Sequence, residues 1–141
     1  MNEEDKKRFD LWNIEKQKLC DVGKLDYLIR QREIWYLKMG QNIGYEENGK
    51  YGFRRPVLVV KKVGNMYFTV ALTSQGKTDN LFYYKLQNAY FDKKHNYYLG
   101  ESYVILSQAR VLDTRRFINR IGKVDRVEFA EITKRLKTLL F

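Results

Sequence analysis

The stretch from Arg55 to Leu72 constrains the chain most. It opens with Arg55-Pro56-Val57-Leu58-Val59-Val60, passes Gly64-Asn65 and runs on from Met66 to Leu72. Pro56 fixes its own φ and pushes Arg55 towards an extended conformation. Four apolar residues follow without alternation, the pattern of a strand buried on both faces. Met66 to Leu72 is expected to be the next strand, and Gly64-Asn65 supplies the turn between them. Paired as a hairpin, the strands bring Arg55 and Thr73 to one end of the sheet. Arg55 is expected to face an open groove there, with Thr73, Ser74 and Gln75 beside it. A fixed cation next to a hydroxyl suits a phosphate.

Charge points the same way. The net charge is +10 over 141 residues, a length that fits one domain with an appendage. Residues 1–31 hold seven basic and seven acidic groups, so the whole excess lies in residues 32–141. Five basic residues and no acid fall between Lys50 and Lys62, among them Arg54 and Lys61. A second cluster is Arg110, Arg115, Arg116 and Arg120. Such an excess favours a polyanion, most simply nucleic acid, though it also describes a solvated basic surface that aids solubility. No apolar run is long enough to span a bilayer and no signal-like start is present, so no membrane is expected and the cytoplasm is the expected compartment. The single cysteine, Cys20, cannot form an internal disulfide or a cysteine metal site, and is expected to be an apolar filler on the first helix.

The chain divides at residue 31. Residues 2–20 are expected to be helical, with Phe9, Trp12 and Leu19 on one apolar stripe. Gly23 ends this helix, and Leu25, Leu28 and Ile29 suggest a second short one. This 1–31 extension carries no residue that suggests chemistry and is expected to pack on a flank. The 32–141 domain begins with a strand, Glu33 to Met39, whose residues alternate. A glycine-bearing loop from Gly40 to Phe53 holds Glu46 and Glu47 just ahead of the arginines. A carboxylate there would serve as a base or would orient an arginine, or would simply belong to a surface loop. Further strands are expected over Leu81–Leu86, Tyr103–Leu106 and Ala109–Leu112, the last two interrupted by Ser107-Gln108. Asp113 to Arg116 is expected to be a turn. His95, the only histidine, sits in a polar hairpin tip, so a two-histidine acid/base pair within one chain is ruled out. Asp125 and Glu128 fit a capping box, and Phe129, Ile132, Leu136, Leu139 and Leu140 form the apolar face of a final helix. No P-loop or dinucleotide glycine motif is present, and no cofactor is implied.

An ordered set of short motifs adds a resemblance. Glu33-Ile34-Trp35, Gly44-Tyr45-Glu46, Arg55-Pro56-Val57-Leu58-Val59, Leu72-Thr73-Ser74-Gln75, Gln108-Ala109-Arg110 with Asp113, and Ile121-Gly122 resemble the MazF/PemK (Kid) toxins. Phe9-Asp10-Leu11-Trp12-Asn13 is similar to an extension found in one branch of them. The resemblance implies an α+β chain: a small, curved, antiparallel SH3-like barrel with a C-terminal helix, here preceded by a helical extension. It implies a homodimer that cuts single-stranded RNA without a metal and is restrained by a cognate antitoxin.

By the same resemblance Arg55 is the main catalytic group, Thr73 helps hold the scissile phosphate, and Glu46 is the loop carboxylate. Ser74, Gln75, Arg54, Lys61, Ser107, Gln108, Arg110, Arg115 and Arg116 are the candidate substrate contacts. Ser107 stands where several members carry an acid, which shifts the work onto Arg55 and Thr73. The chemistry agrees with that pair. A 2′-OH that attacks the adjacent phosphorus leaves a 2′,3′-cyclic phosphate and a 5′-OH. A guanidinium stabilises the phosphoryl oxygens and can protonate the leaving oxygen, yet is a poor base. Two other classes stay open: a CcdB-like gyrase-binding toxin, which would need no phosphate pocket, and a nucleic-acid-binding barrel without activity.

Overall fold

The computed structural model describes residues 1–22, 28–40, 42, 49, 53–91 and 101–141. Helix α1 (Glu3–Asp21) precedes strands β1 (Glu33–Lys38), β2 (Arg54–Val63), β3 (Met66–Thr73), β4 (Tyr83–Lys85), β5 (Ala89–Phe91) and β6 (Tyr103–Asp113). A 3-10 turn (Thr114–Arg116), strand β7 (Phe117–Val124) and helix α2 (Arg126–Leu140) complete the chain. The seven strands form one antiparallel sheet in the order β4-β6-β3-β2-β1-β7-β5. Its two edges are not paired with each other, so it is strongly curved but open.

The hairpin at the centre forms as its residues dictate. Gly64 takes φ 61°, a left-handed conformation that glycine adopts freely, and lets β2 fold back on β3. Val57, Leu58 and Val59 are fully buried, which is the two-faced burial that their unbroken apolar run requires. Neighbours along a strand go to opposite faces of the pleat. Thus Leu58, Val70 and Leu72 pack with Phe129, Ile132 and Leu136 of α2. On the other face Trp35, Leu37, Val57, Val59, Ala71, Leu112 and Phe117 form a second cluster inside the curl. Register shifts in the β1–β7, β2–β3 and β3–β6 pairings mark the bulges that bend the sheet.

Glu128 fastens the open edge. Asp125 caps α2 by accepting from the Glu128 N–H at 2.7 Å. The Glu128 side chain does not complete the capping box. It turns to the corner between the edge strands, where it accepts from the Gln87 N–H (2.9 Å), the Asn88 N–H (3.1 Å) and the Tyr84 hydroxyl (3.3 Å). Three donors satisfy a carboxylate that is only 5% exposed.

Several expectations change. Phe117–Val124 is a strand that the sequence pattern does not announce, because bulges break its alternation. Ser107 and Gln108 do not interrupt β6, which runs through them as one bulged strand. The aromatic strand after residue 80 is short, covering only Tyr83–Lys85. Residues 28–30 are not helical. Cys20 is exposed rather than filling a core. Leu140 is 43% exposed beyond the end of the apolar face of α2. Gly23, Leu25, Gly44, Tyr45, Glu46, Glu47 and His95 lie outside the described residues.

Candidate nucleic-acid interface

Arg55 and Thr73 lie at the same end of the β2–β3 pair. The β2–β3 ladder begins at Val57 opposite Ala71, and the same register carried back two residues points Arg55 towards Thr73. Arg55 is not open to a groove as the sequence suggests. It is 6% exposed, because its parity puts it on the inner face with Leu37 and Val57. Its Nη1 donates to the Leu72 carbonyl at 3.1 Å, which anchors that end of the guanidinium. Thr73 is partly buried, and its Oγ1 accepts from the Gln75 N–H at 3.1 Å. That turn leaves the hydroxyl proton to be donated elsewhere. Ser74 and Gln75 are exposed beside it.

The remaining candidates separate. Arg54 projects to the face opposite Arg55, where its charge acts on Tyr36. Burial raises the Tyr36 pKa and Arg54 offsets part of that rise. Lys61 lies six residues along β2 from Arg55, roughly 20 Å away at strand spacing, and is exposed there. Ser107 and Gln108 sit in the bulged part of β6, Ser107 exposed and Gln108 partly buried. Arg110 and Arg116 converge on the end of β1. Arg110 Nη1 reaches Met39 Sδ at 3.6 Å, and Arg116 Nη1 donates to the carbonyls of Lys38 (3.3 Å) and Met39 (3.5 Å). Lys38 is opposite Arg54, so these arginines gather at the mouth of the curl beside the start of β2. Arg115 is held at Asp113, Nε to Oδ1 3.6 Å.

Helix α1 is also at this mouth, not merely on a remote flank. Trp12 is 4% exposed, 5.3 Å from the Phe53 ring and 5.7 Å below the Arg116 guanidinium. Gly40 adopts φ 84° directly against it, and a Cβ there would lie 1.9 Å from the indole. Arg8 lies over Phe53 at 4.9 Å and donates to the Gly49 carbonyl at 3.1 Å. Lys38 and Glu15 pair at 3.8 Å. Phe53 itself has φ 61°, and its carbonyl accepts from the N–H groups of Met39 (2.7 Å) and Gly40 (3.1 Å). Among the described residues no three His, Cys, Asp or Glu side chains gather as metal ligands would.

A family model for the PemK-like, MazF-like toxin of type II toxin-antitoxin systems matches residues 30–140. The chain belongs to this family. Its fold is similar to that of MazF (Form-I) from Deinococcus radiodurans, with a TM-score of 0.62 at 24% identity, covering 82% of this chain and 98% of that one. It is similar too to the MazE-MazF structure (Form-II) of the same organism, with a TM-score of 0.56 at 23% identity, covering 82% and 97%. The Form-III MazE-MazF structure gives 0.55 at 21%, covering 81% and 97%. No curated protein sequence matches the chain. The family match begins after α1, so in this PemK/MazF-like toxin the helix at the mouth lies outside the matched residues.

Two contributors to the toxin's mouth escape a sequence reading. Trp12 is legible only as part of a weak stripe on a highly charged helix. Phe53 hides in a glycine-bearing loop, and only its position just ahead of Arg54-Arg55 marks it. Among the described residues no helix is long and apolar enough to cross a membrane.

Proposed function

We propose that this protein is the toxin of a type II toxin-antitoxin pair and acts as a metal-independent endoribonuclease on single-stranded RNA. The observation that carries the reading is the Arg55–Thr73 pair, a guanidinium anchored to the Leu72 carbonyl opposite an oriented hydroxyl. Arg55 stabilises the phosphoryl oxygens as charge develops, and Thr73 donates to the same phosphate. The 2′-oxygen bonds to phosphorus while the bond to the 5′-oxygen breaks. The 2′-OH proton passes to a loop carboxylate, Glu46 or Glu47, or to water, and the leaving 5′-oxygen takes a proton from the Arg55 side. Because Arg55 is 6% exposed, RNA binding includes an opening of this mouth.

The working unit is a homodimer. Exposed Val63, Met66 and Val111 support this, since they lie on adjacent strands at one end of the sheet and offer an apolar patch. A cognate antitoxin lays an acidic segment over the mouth and covers Arg55. The related MazE-MazF structures support such a partner. Incubating the purified protein with single-stranded RNA in excess chelator tests the reading. Products ending in a 2′,3′-cyclic phosphate and a 5′-OH are expected. Intact RNA, or cleavage that the chelator abolishes, overturns it. Binding to gyrase without cleavage would replace it with the CcdB-like class.

A further inference from the structure

Between α1 and the 3-10 turn lies a cleft of about 190 Å³, lined by Lys16, Leu19, Cys20, Asp113, Arg115 and Arg116. Its lining includes three cationic residues and one carboxylate. That carboxylate is already engaged, since Asp113 Oδ1 accepts from the Arg115 N–H at 2.9 Å and lies 3.6 Å from Arg115 Nε. Among the described residues Lys16 forms no ion pair. Arg116 is the desolvated partner. Burial and then the Arg110 charge hold its pKa below the usual guanidinium value, and Asp113 only partly opposes them. Desolvated like charges with too little counter-charge are stabilised by a bound anion. Arg116 is also preorganised to meet one, held by two backbone carbonyls and by the Trp12 ring.

We propose that this cleft is a second phosphate subsite, which grips the RNA backbone away from the scissile bond. Helix α1 supplies Lys16 to it directly and orients Arg116 through Trp12. A phosphodiester meets Lys16, Arg115 and Arg116, and Leu19 with Cys20 forms an apolar flank for the adjoining ribose. The cleft adjoins the catalytic mouth, because Lys38 and Met39, which hold Arg116, end the strand beside Arg54. The proposal rests on the RNA reading above and names a contact that the barrel alone lacks.

The test uses the full chain and a 2′-O-methyl oligonucleotide pool, which cannot undergo 2′-OH attack. Affinity is measured by fluorescence anisotropy across a salt series for wild type, Lys16→Gln and Lys18→Gln. The last is a control with the same charge change in the last turn of α1. Losing one phosphate contact lowers the slope of log affinity against log salt by about 0.7 for single strands. Lys16→Gln is expected to show that drop on long oligonucleotides, and no change on ones too short to reach past the scissile site. Lys18→Gln is expected to match wild type. RNA binding with the same slope in Lys16→Gln and Lys18→Gln sinks the subsite and leaves the proposed function standing. Failure of the wild type to bind any of the pool sinks both.

Discussion

Replacing Arg55 tests the chemistry and the packing together. Truncation to alanine removes a preorganised donor from the developing phosphoryl charge, worth about 10²–10³ in kcat, or ~2.7–4 kcal/mol. The same change removes the Nη1 bond to the Leu72 carbonyl at 3.1 Å. A bond from a charged donor contributes ~1.5–3 kcal/mol, and the desolvation cost of burying the guanidinium offsets part of that. A net loss of about 1–2 kcal/mol remains, which lowers Tm by about 4 °C per kcal/mol for a chain of this size. Arg55→Ala is therefore expected to be folded at room temperature but measurably less stable. Arg55→Lys keeps the charge and loses the two-pronged geometry, so about a tenth of wild-type rate is expected. Single-turnover cleavage of labelled RNA, run well below both melting points, separates the effects. An alanine variant that cuts within about threefold of wild type would remove Arg55 from the mechanism, since the smallest preorganised-donor loss exceeds that. A variant with unchanged Tm would instead show that the bond to Leu72 contributes nothing net.

Thr73→Ala should slow cleavage by about 1.5–3 kcal/mol, one charge-assisted bond, while Thr73→Ser keeps both the donor and the turn to Gln75 and stays near wild type. Glu128→Ala strands the two N–H groups and the phenol at the β4–β5 corner and should cost about 3 kcal/mol or more, read as a shifted urea midpoint. Glu128→Gln retains an acceptor and should lose clearly less. Tyr84 has its pKa raised to about 12, first by burial and then by the Glu128 carboxylate. The neutral phenol is thus favoured in the folded state, so its contribution is complete below pH ~10 and is lost as pH rises towards about 12. The gap sets an upper bound of about 2.7 kcal/mol, which solvent screening of this partly exposed ring reduces to about 1 kcal/mol. Comparing wild type with Tyr84→Phe across that window isolates it, and identical pH profiles would refute the coupling.

Local rules fixed the centre of the molecule. Unbroken apolar residues, Pro56 and Gly64 determine the β2–β3 hairpin, and register alone then brings Arg55 to Thr73. The C-terminal helix was equally legible from its cap and its periodicity. What escaped was set by long-range contacts. Strand β7 has two register shifts against β1, so its buried residues do not alternate. Glu128 fits a capping box in sequence, but two N–H groups forty residues away compete for it and win. The role of α1 was not legible either. Its stripe is short, and what makes Trp12 matter is a glycine, a phenylalanine and an arginine from three distant segments.

The Arg-Pro dipeptide has a mechanical logic that neither residue carries alone. β2 pairs with β1 as far back as Arg54, opposite Lys38. Its pairing with β3 begins only at Val57, opposite Ala71. By register the next pair would set Pro56 against Leu72, but proline has no N–H to give to a ladder. The Leu72 carbonyl accepts from Arg55 Nη1 instead. The start of β2 therefore stays laddered to β1 alone, at the end of the hairpin that carries Arg55 and Thr73. Strand parity then assigns the two adjacent arginines different roles. Arg55 turns inward, and Arg54 turns to the opposite face beside Tyr36. A one-residue shift of Pro56 would exchange them, so the motif's order, and not merely its charge, places a cation where a phosphate can be gripped.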